Sequence, residues 1–166
     1  MADEQRPLSH VDVDGSISMV DVGEKAITTR EATASATIHM SSATMKLLLE
    51  KTLPKGDALT AAKVAGIFAA KATPSLIPLT HPVMIDRADV TFQIHEHDST
   101  IEVEASVRCQ GRTGVEIEAM TACAIACLTI YDMCKSADKG ITIEALRLRH
   151  KSGGKSGNYD AGNRWP

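Results

Sequence analysis

The chain has 166 residues, a formal net charge of −3, 43% hydrophobic residues and only 3% aromatic ones. One Trp, two Tyr and two Phe are too few rings for stacking single-stranded bases, and the acidic balance is wrong for a general nucleic-acid binder. The length suits one domain with a real core, no run approaches the roughly 20 apolar residues of a membrane span, and the N-terminus lacks the apolar stretch of a signal peptide. A cytoplasmic protein with neither nucleic-acid nor membrane partner is expected.

Residues 1–30 carry Gly15, Gly23 and scattered Asp, and read as an irregular arm. Ala34, Ala36, Ile38 and Met40 then alternate with Ser35, Thr37 and His39, the period of a half-buried strand. Ser41 or Ser42 caps a short helix bearing Met45, Leu48 and Leu49. Pro54-Lys55-Gly56-Asp57 breaks it, and Asp57 caps a second helix running to Lys71, with an Ala-rich face suited to close packing. Thr73-Pro74 is expected to end that helix, and two prolines four apart, Pro78 and Pro82, exclude regular structure beyond it. Val90, Phe92 and Ile94 form one strand face, and Ile101, Val103, Ala105 and Val107 another. The polar turn His95 to Ser99 joins them as a hairpin.

Gly111 and Gly114 bracket a turn into a long helix, Glu116 to Ala137, apolar on most of its surface and so expected to be buried. Cys123, Cys127 and Cys134 lie in it and Cys109 lies in a strand. None forms a CxxC pair, so all four read as reduced core residues. Gly140 closes the helix. Ile141, Ile143, Leu146 and Leu148 form a last strand whose phase slips at Ala145, the mark of a bulge. Strand, helices, strand, strand, helix, strand is the order of an α+β ferredoxin-like, split βαβ sandwich, an antiparallel sheet with helices on one face. The single domain then occupies residues 31–149, followed by a basic, glycine-rich tail over 150–166.

That tail holds Lys151-Ser-Gly-Gly-Lys-Ser-Gly157, which looks like a phosphate loop without fitting one. The spacing would need glycine at position 149, which is Arg149, and no helix follows. Arg147, Arg149, His150, Lys151 and Lys155 within nine residues suit a polyanion such as a triphosphate; a solvated flexible tail is the plainer reading.

Candidate chemistry clusters on the long helix. Asp132 and Lys135, three apart, share a face and can pair. Their apolar surroundings, Leu128-Thr-Ile-Tyr-Asp-Met-Cys134, suggest desolvation and a lowered lysine pKa; an ordinary, weak surface ion pair is the competing reading. Glu116 and Glu118 sit at the other end. Glu118 and Asp132 are 14 residues apart, about 21 Å at 1.5 Å per residue, so one small pocket cannot hold both within one chain. If both clusters act, two copies of the helix related by a two-fold axis must share them. His81, held between Thr80 and Pro82, reads equally as an acid–base group, a donor to phosphate or a structural loop histidine. Lys55 lies at a helix start that favours anions, or is a plain exposed lysine. His95 and His97 read as a hairpin tip rather than metal ligands, and no metal site is expected.

Lys55-Gly-Asp57, Ile77-Pro-Leu-Thr-His-Pro82, Thr113-Gly-Val-Glu-Ile-Glu-Ala119, Ile130-Tyr-Asp-Met-Cys-Lys135 and Lys151-Ser-Gly-Gly-Lys-Ser-Gly157, in that order, resemble the cyclic pyranopterin monophosphate synthase family, molybdenum cofactor biosynthesis protein C. The resemblance runs from Leu8 to Tyr159 and includes Met19-Val-Asp-Val22 and Arg30-Glu-Ala32. It implies a ferredoxin-like domain, a homohexamer built as a trimer of dimers, and sites between subunits. The implied reaction converts 3′,8-cyclo-7,8-dihydroguanosine triphosphate to cyclic pyranopterin monophosphate with release of pyrophosphate, a lyase reaction. By the same resemblance Asp132, Lys135 and Lys55 are catalytic. Arg30, Leu79, Thr80, His81, Glu116, Ile117, Glu118, Lys151 and Lys155 are expected to bind substrate. No cofactor is implied, which leaves room for Mg2+ carried in with the triphosphate. Thr80 stands where the family usually has cysteine, so thiol chemistry there is not required. A non-catalytic nucleotide- or phosphate-binding regulatory module on the same fold is the alternative; it would need the basic groups but no acid–base pair.

Overall fold

Alternating small and β-branched residues build the centre of the sheet in a computed structural model that describes residues 17–162. In chain order the elements are β1 (Thr28–His39), α1 (Ser42–Leu49), α2 (Ala58–Leu76), β2 (Ile85–His95), β3 (Thr100–Gly111), α3 (Glu116–Cys134), β4 (Thr142–Ser152) and β5 (Tyr159–Asp160). The strands lie in the order β2-β3-β1-β4-β5, and every neighbouring pair is antiparallel. The first four strands give the ferredoxin-like arrangement expected from the element order.

The period of two divides the sheet into two faces. Ala32, Ala34, Ala36 and Ile38 of β1 and Ile101, Val103, Ala105 and Val107 of β3 are buried beneath α3, and α2 packs beside α3 over β2. Their neighbours Glu31, Thr33 and Thr37, with Glu102, Glu104, Ser106 and Arg108, form a polar opposite face. The alanines of β1 let the helix layer approach closely. Each large side chain in this core stabilises the fold by about 1.5–3 kcal/mol through removal from water.

The capping residues act as their types predict. Ser41 Oγ accepts from Thr44 N–H at 3.3 Å to start α1, and Asp57 Oδ1 accepts from Thr60 N–H at 3.1 Å to start α2. Thr73-Pro74 does not end α2, which continues to Leu76. Pro74 lacks the N–H that would bond one turn back, but it stands in the last turn, where one lost bond is tolerated. Ile77 N–H still closes on Thr73 O at 2.9 Å, and the Thr73 hydroxyl donates to Ala69 O at 3.1 Å.

α3 stops at Cys134 rather than Ala137, with Lys135 as its C-cap. It is long and apolar enough to cross a membrane, contrary to the expectation that no run approaches that composition. Its apolar side chains pack instead on α2 and the sheet, and all four cysteines are free and buried, three of them in this helix. Ala145 sits at φ 53° where the β4 register slips against β1, so the phase slip is a bulge.

Two boundaries differ from expectation. β1 begins at Thr28, so Thr28 to Arg30 belong to the sheet and not to an irregular arm. β4 runs on to Ser152 and β5 follows, pairing Lys151 with Tyr159 and His150 with Asp160. The basic segment is therefore a strand end and a folded turn rather than a loose tail. Its phase was hidden by the bulge and its strand character by the glycines. Residues 1–16 and 163–166 of the expected arm and tail lie outside the described residues.

Gly66 marks the closest approach in the helix layer. A Cβ there would lie 2.9 Å from the Ala122 carbonyl oxygen and 2.8 Å from a Val90 methyl. Alanine at a helical glycine normally gains about 1 kcal/mol, whereas overpacking costs about 1–3 kcal/mol. Gly66→Ala is therefore expected to lower Tm by a few degrees, read by thermal unfolding; a raised Tm would contradict this packing.

Candidate active site

Arg30 anchors a cleft where the start of β1, the end of β4 and the turn into α3 meet. Its side chain is buried and donates from Nε to Gly111 O at 3.2 Å and from Nη2 to Arg112 O at 3.3 Å. The turn after β4 lies directly on it. A Cβ on Gly154 would overlap the Arg30 guanidinium, and one on Gly153 would overlap the Thr29 carbonyl, both residues having φ near +80 to +90°. The two glycines are thus required by close approach and by conformation together.

The cleft has two joined lobes. One, of about 560 Å3, is lined by Lys25, Arg30, Arg112, Lys151 and Lys155, with Glu116 the one acid among its lining residues. The other, of about 510 Å3, is lined by Leu79, Thr80, His81, Glu116, Ile117 and Glu118, and is flanked by Val20 and Val22. Lys25, Thr113, Gly114, Glu116 and Lys151 belong to both. All nine residues expected to bind substrate therefore line one continuous cleft. The Thr80 hydroxyl donates to Ile77 O at 2.9 Å, so it shapes the proline-bounded loop that presents His81.

Lys55, Asp132 and Lys135 form a second cluster at the far end of α3. Asp132 Oδ2 lies 2.6 Å from Lys55 Nζ and its Oδ1 lies 2.7 Å from Lys135 Nζ; Lys55 also donates to the Asp132 carbonyl at 3.0 Å. The loop carrying Lys55 turns at Gly56, φ +90°, and brings together residues 77 apart in the sequence. The expected desolvation is absent: the Asp132 side chain is 52% exposed. Hydrogen bonds from Lys135 and then Lys55 hold its carboxyl down at about 2, and Asp132 in turn pushes Lys135 up. A lowered lysine pKa is thus corrected to a raised one, because the apolar neighbours in the sequence point into the core while Asp132 and Lys135 face out.

Glu118 is the desolvated acid instead. It is 3% exposed, and burial, followed by the nearby Glu116 charge, raises its pKa. The sequence signal was there in its position at the third residue of an apolar helix, on the side turned toward the sheet. Lys25 and Arg112 were missed outright, since a lone lysine in an arm and an arginine in a turn carry no pattern.

A buried acid with a raised pKa favours the fold while protonated, and that contribution is lost as pH rises through its folded pKa. Glu118→Gln is therefore expected to raise Tm at neutral pH, with the gain shrinking toward about pH 4, where the wild-type carboxyl is also neutral. Thermal unfolding across pH reads this; a gain independent of pH would contradict it. Among the described residues no group of three or more His, Cys, Asp or Glu is placed to hold a metal ion.

Known proteins are similar in sequence to this chain over nearly its whole length. A family model described as the MoaC family matches residues 19–154. A protein of Parvibaculum lavamentivorans named cyclic pyranopterin monophosphate synthase is 49% identical, over 94% of this chain and 98% of its own length. Proteins with the same name from Chloroflexus aurantiacus and Nitratidesulfovibrio vulgaris are 50% and 51% identical, over 96% and 95% of this chain and 98% of their own lengths. The family model covers most of the chain and the relatives match nearly all of it, and the chain belongs to the MoaC family.

Proposed function

We propose that the protein is a cyclic pyranopterin monophosphate synthase of molybdenum cofactor biosynthesis. It takes a small nucleotide-derived substrate, 3′,8-cyclo-7,8-dihydroguanosine triphosphate, and acts as a phosphorus–oxygen lyase in the cytoplasm. The observation that carries this reading is the division of polar residues: a lobe of five cations opens onto a lobe holding His81 and a buried acid, and a Lys–Asp–Lys cluster stands apart. The names of the relatives at about half identity support it.

Each group has work that suits its state. Lys25, Arg30, Arg112, Lys151 and Lys155 neutralise the triphosphate, and a Mg2+ ion arriving with it belongs to the substrate. Opening the purine-derived ring and reclosing it as a pterin moves protons between nitrogen and oxygen. Lys135, kept as an ammonium by Asp132, is the donor. Asp132, held down at about 2, is too weak a base to accept and orients Lys135 instead, while Glu118, whose pKa burial raises, is the acceptor. Lys55 holds the carboxylate in place at 2.6 Å. To close the cyclic phosphate, a ribose-derived hydroxyl oxygen bonds to the α-phosphorus, its proton passes to a base, and the bond to pyrophosphate breaks. The cationic lobe stabilises charge on that leaving group.

The two clusters stand on one helix, about 21 Å apart. The reading therefore includes a second copy, whose Asp132 end completes the Glu118 end of the first, within a homohexamer of three dimers. Ile117 and Leu128 on α3, with Val64 and Phe68 on α2, are large exposed apolar side chains of the helix layer and suit such a contact.

The purified protein is expected to release one pyrophosphate for each pterin product formed from the cyclic triphosphate. Tight binding without turnover would support the regulatory module instead. Lys135→Arg keeps the charge but holds its proton too firmly, and should lower kcat by roughly 10²–10⁴-fold with the fold intact. Asp132→Asn removes what raises Lys135, so the alkaline limb of its residual pH–rate profile should move to lower pH; an unmoved limb would count against Lys135 as the donor.

A further inference from the structure

The cationic lobe contains an acid that works against its purpose. Glu116 is the one carboxylate among the residues lining that lobe, and its Oε1 lies 3.1 Å from Lys151 Nζ. With side chains 27% and 24% exposed, this is the least exposed ion pair among the described residues. Lys151 also donates to Ser156 Oγ at 3.2 Å, so its ammonium is held in the seam between the lobes. The backbone is shaped to allow the pair. A Cβ on Gly114 would overlap the Glu116 carboxylate, so glycine there lets Glu116 fold back over the turn instead of pointing away.

A carboxylate in that position repels phosphate and competes with it for Lys151. From this we infer that Glu116 is an intramolecular counter-ion for Lys151 that weakens the grip of the cationic lobe on pyrophosphate and so promotes product release. This assigns Glu116 a positioning role, acting through Lys151, in place of a contact with substrate. It rests on the proposed phosphate-binding role of the lobe. A triphosphate tethered through the rest of the substrate displaces Glu116 from Lys151, because the other lobe also holds the molecule. Once the bond to the α-phosphorus breaks, pyrophosphate has only the cationic lobe, and Glu116 recaptures the ammonium. No covalent step is added by this exchange.

The test is calorimetric titration of pyrophosphate into the full-length protein in the absence of turnover. Glu116→Gln, nearly isosteric, is expected to tighten pyrophosphate binding about tenfold, as fits loss of one competing charge-assisted contact. Gly114→Ala, which leaves the charge but crowds Glu116 off Lys151, should tighten it in the same direction. In a Lys151→Ala background the Glu116→Gln change should have little effect. In steady state Glu116→Gln should lower KM and kcat together and sharpen inhibition by pyrophosphate. Unchanged or weaker pyrophosphate binding by Glu116→Gln, beside normal binding by wild type, overturns the inference while leaving the phosphate site standing. An equal gain with Lys151 removed overturns it too, since the effect would then be one of general charge. If neither wild type nor variant binds pyrophosphate, the phosphate role of the lobe fails and this inference fails with it.

Discussion

A 19-residue α-helix spans roughly 28 Å, and in this protein polar chemistry stands at both ends of α3 with an apolar middle between them. The middle is fixed by packing: Ala119, Ala122, Cys123, Ala126, Cys127 and Ile130 are buried against the sheet and α2. No bend or rotation can bring Glu118 to Asp132 without dismantling that core. The rigid separation of the two ends is the constraint from which the rest of the functional reading follows. Under the proposed function each chain would then carry two half-sites, and a second copy would supply the missing half.

The electrostatics of the two halves are complementary. Asp132 sits exposed between two ammonium groups and stays ionised far into acid, while Lys135 stays charged. Glu118 is buried and pushed toward its neutral form. A pocket made from both halves would hold a firm carboxylate, a firm ammonium and an acid poised to change state, an arrangement suited to moving protons in both directions. The cationic side of the cleft depends less on any single charge than on backbone shape. Arg30 is tied to two carbonyls and covered by Gly153 and Gly154, so the cations beside it are presented by a folded turn.

Much of this was legible in the residues. The alternation in β1 and β3, the Ser41 and Asp57 caps and the Ala145 slip gave the element order, and the order gave the architecture. Motif residues from Arg30 to Lys155 pointed to the cleft. What escaped was set by tertiary placement. Lys151 looked like tail because strand pairing with β1 and β5 cannot be seen in a glycine-rich run. Asp132 looked desolvated because its sequence neighbours are apolar, although a helix turns neighbours to opposite sides. Lys25 and Arg112 join the cleft only through the path of the arm and the turn before α3.

The central claim is that each working pocket combines the Glu118 end of one α3 with the Asp132 end of another. Mixing inactive Glu118→Ala and Asp132→Ala proteins at equal amounts, with subunit exchange verified by mass spectrometry, tests it most directly. Random two-copy pairing leaves about one site in four with both halves intact, so about a quarter of wild-type activity should return. Mixed oligomers with no activity above that of the separate variants would contradict the account.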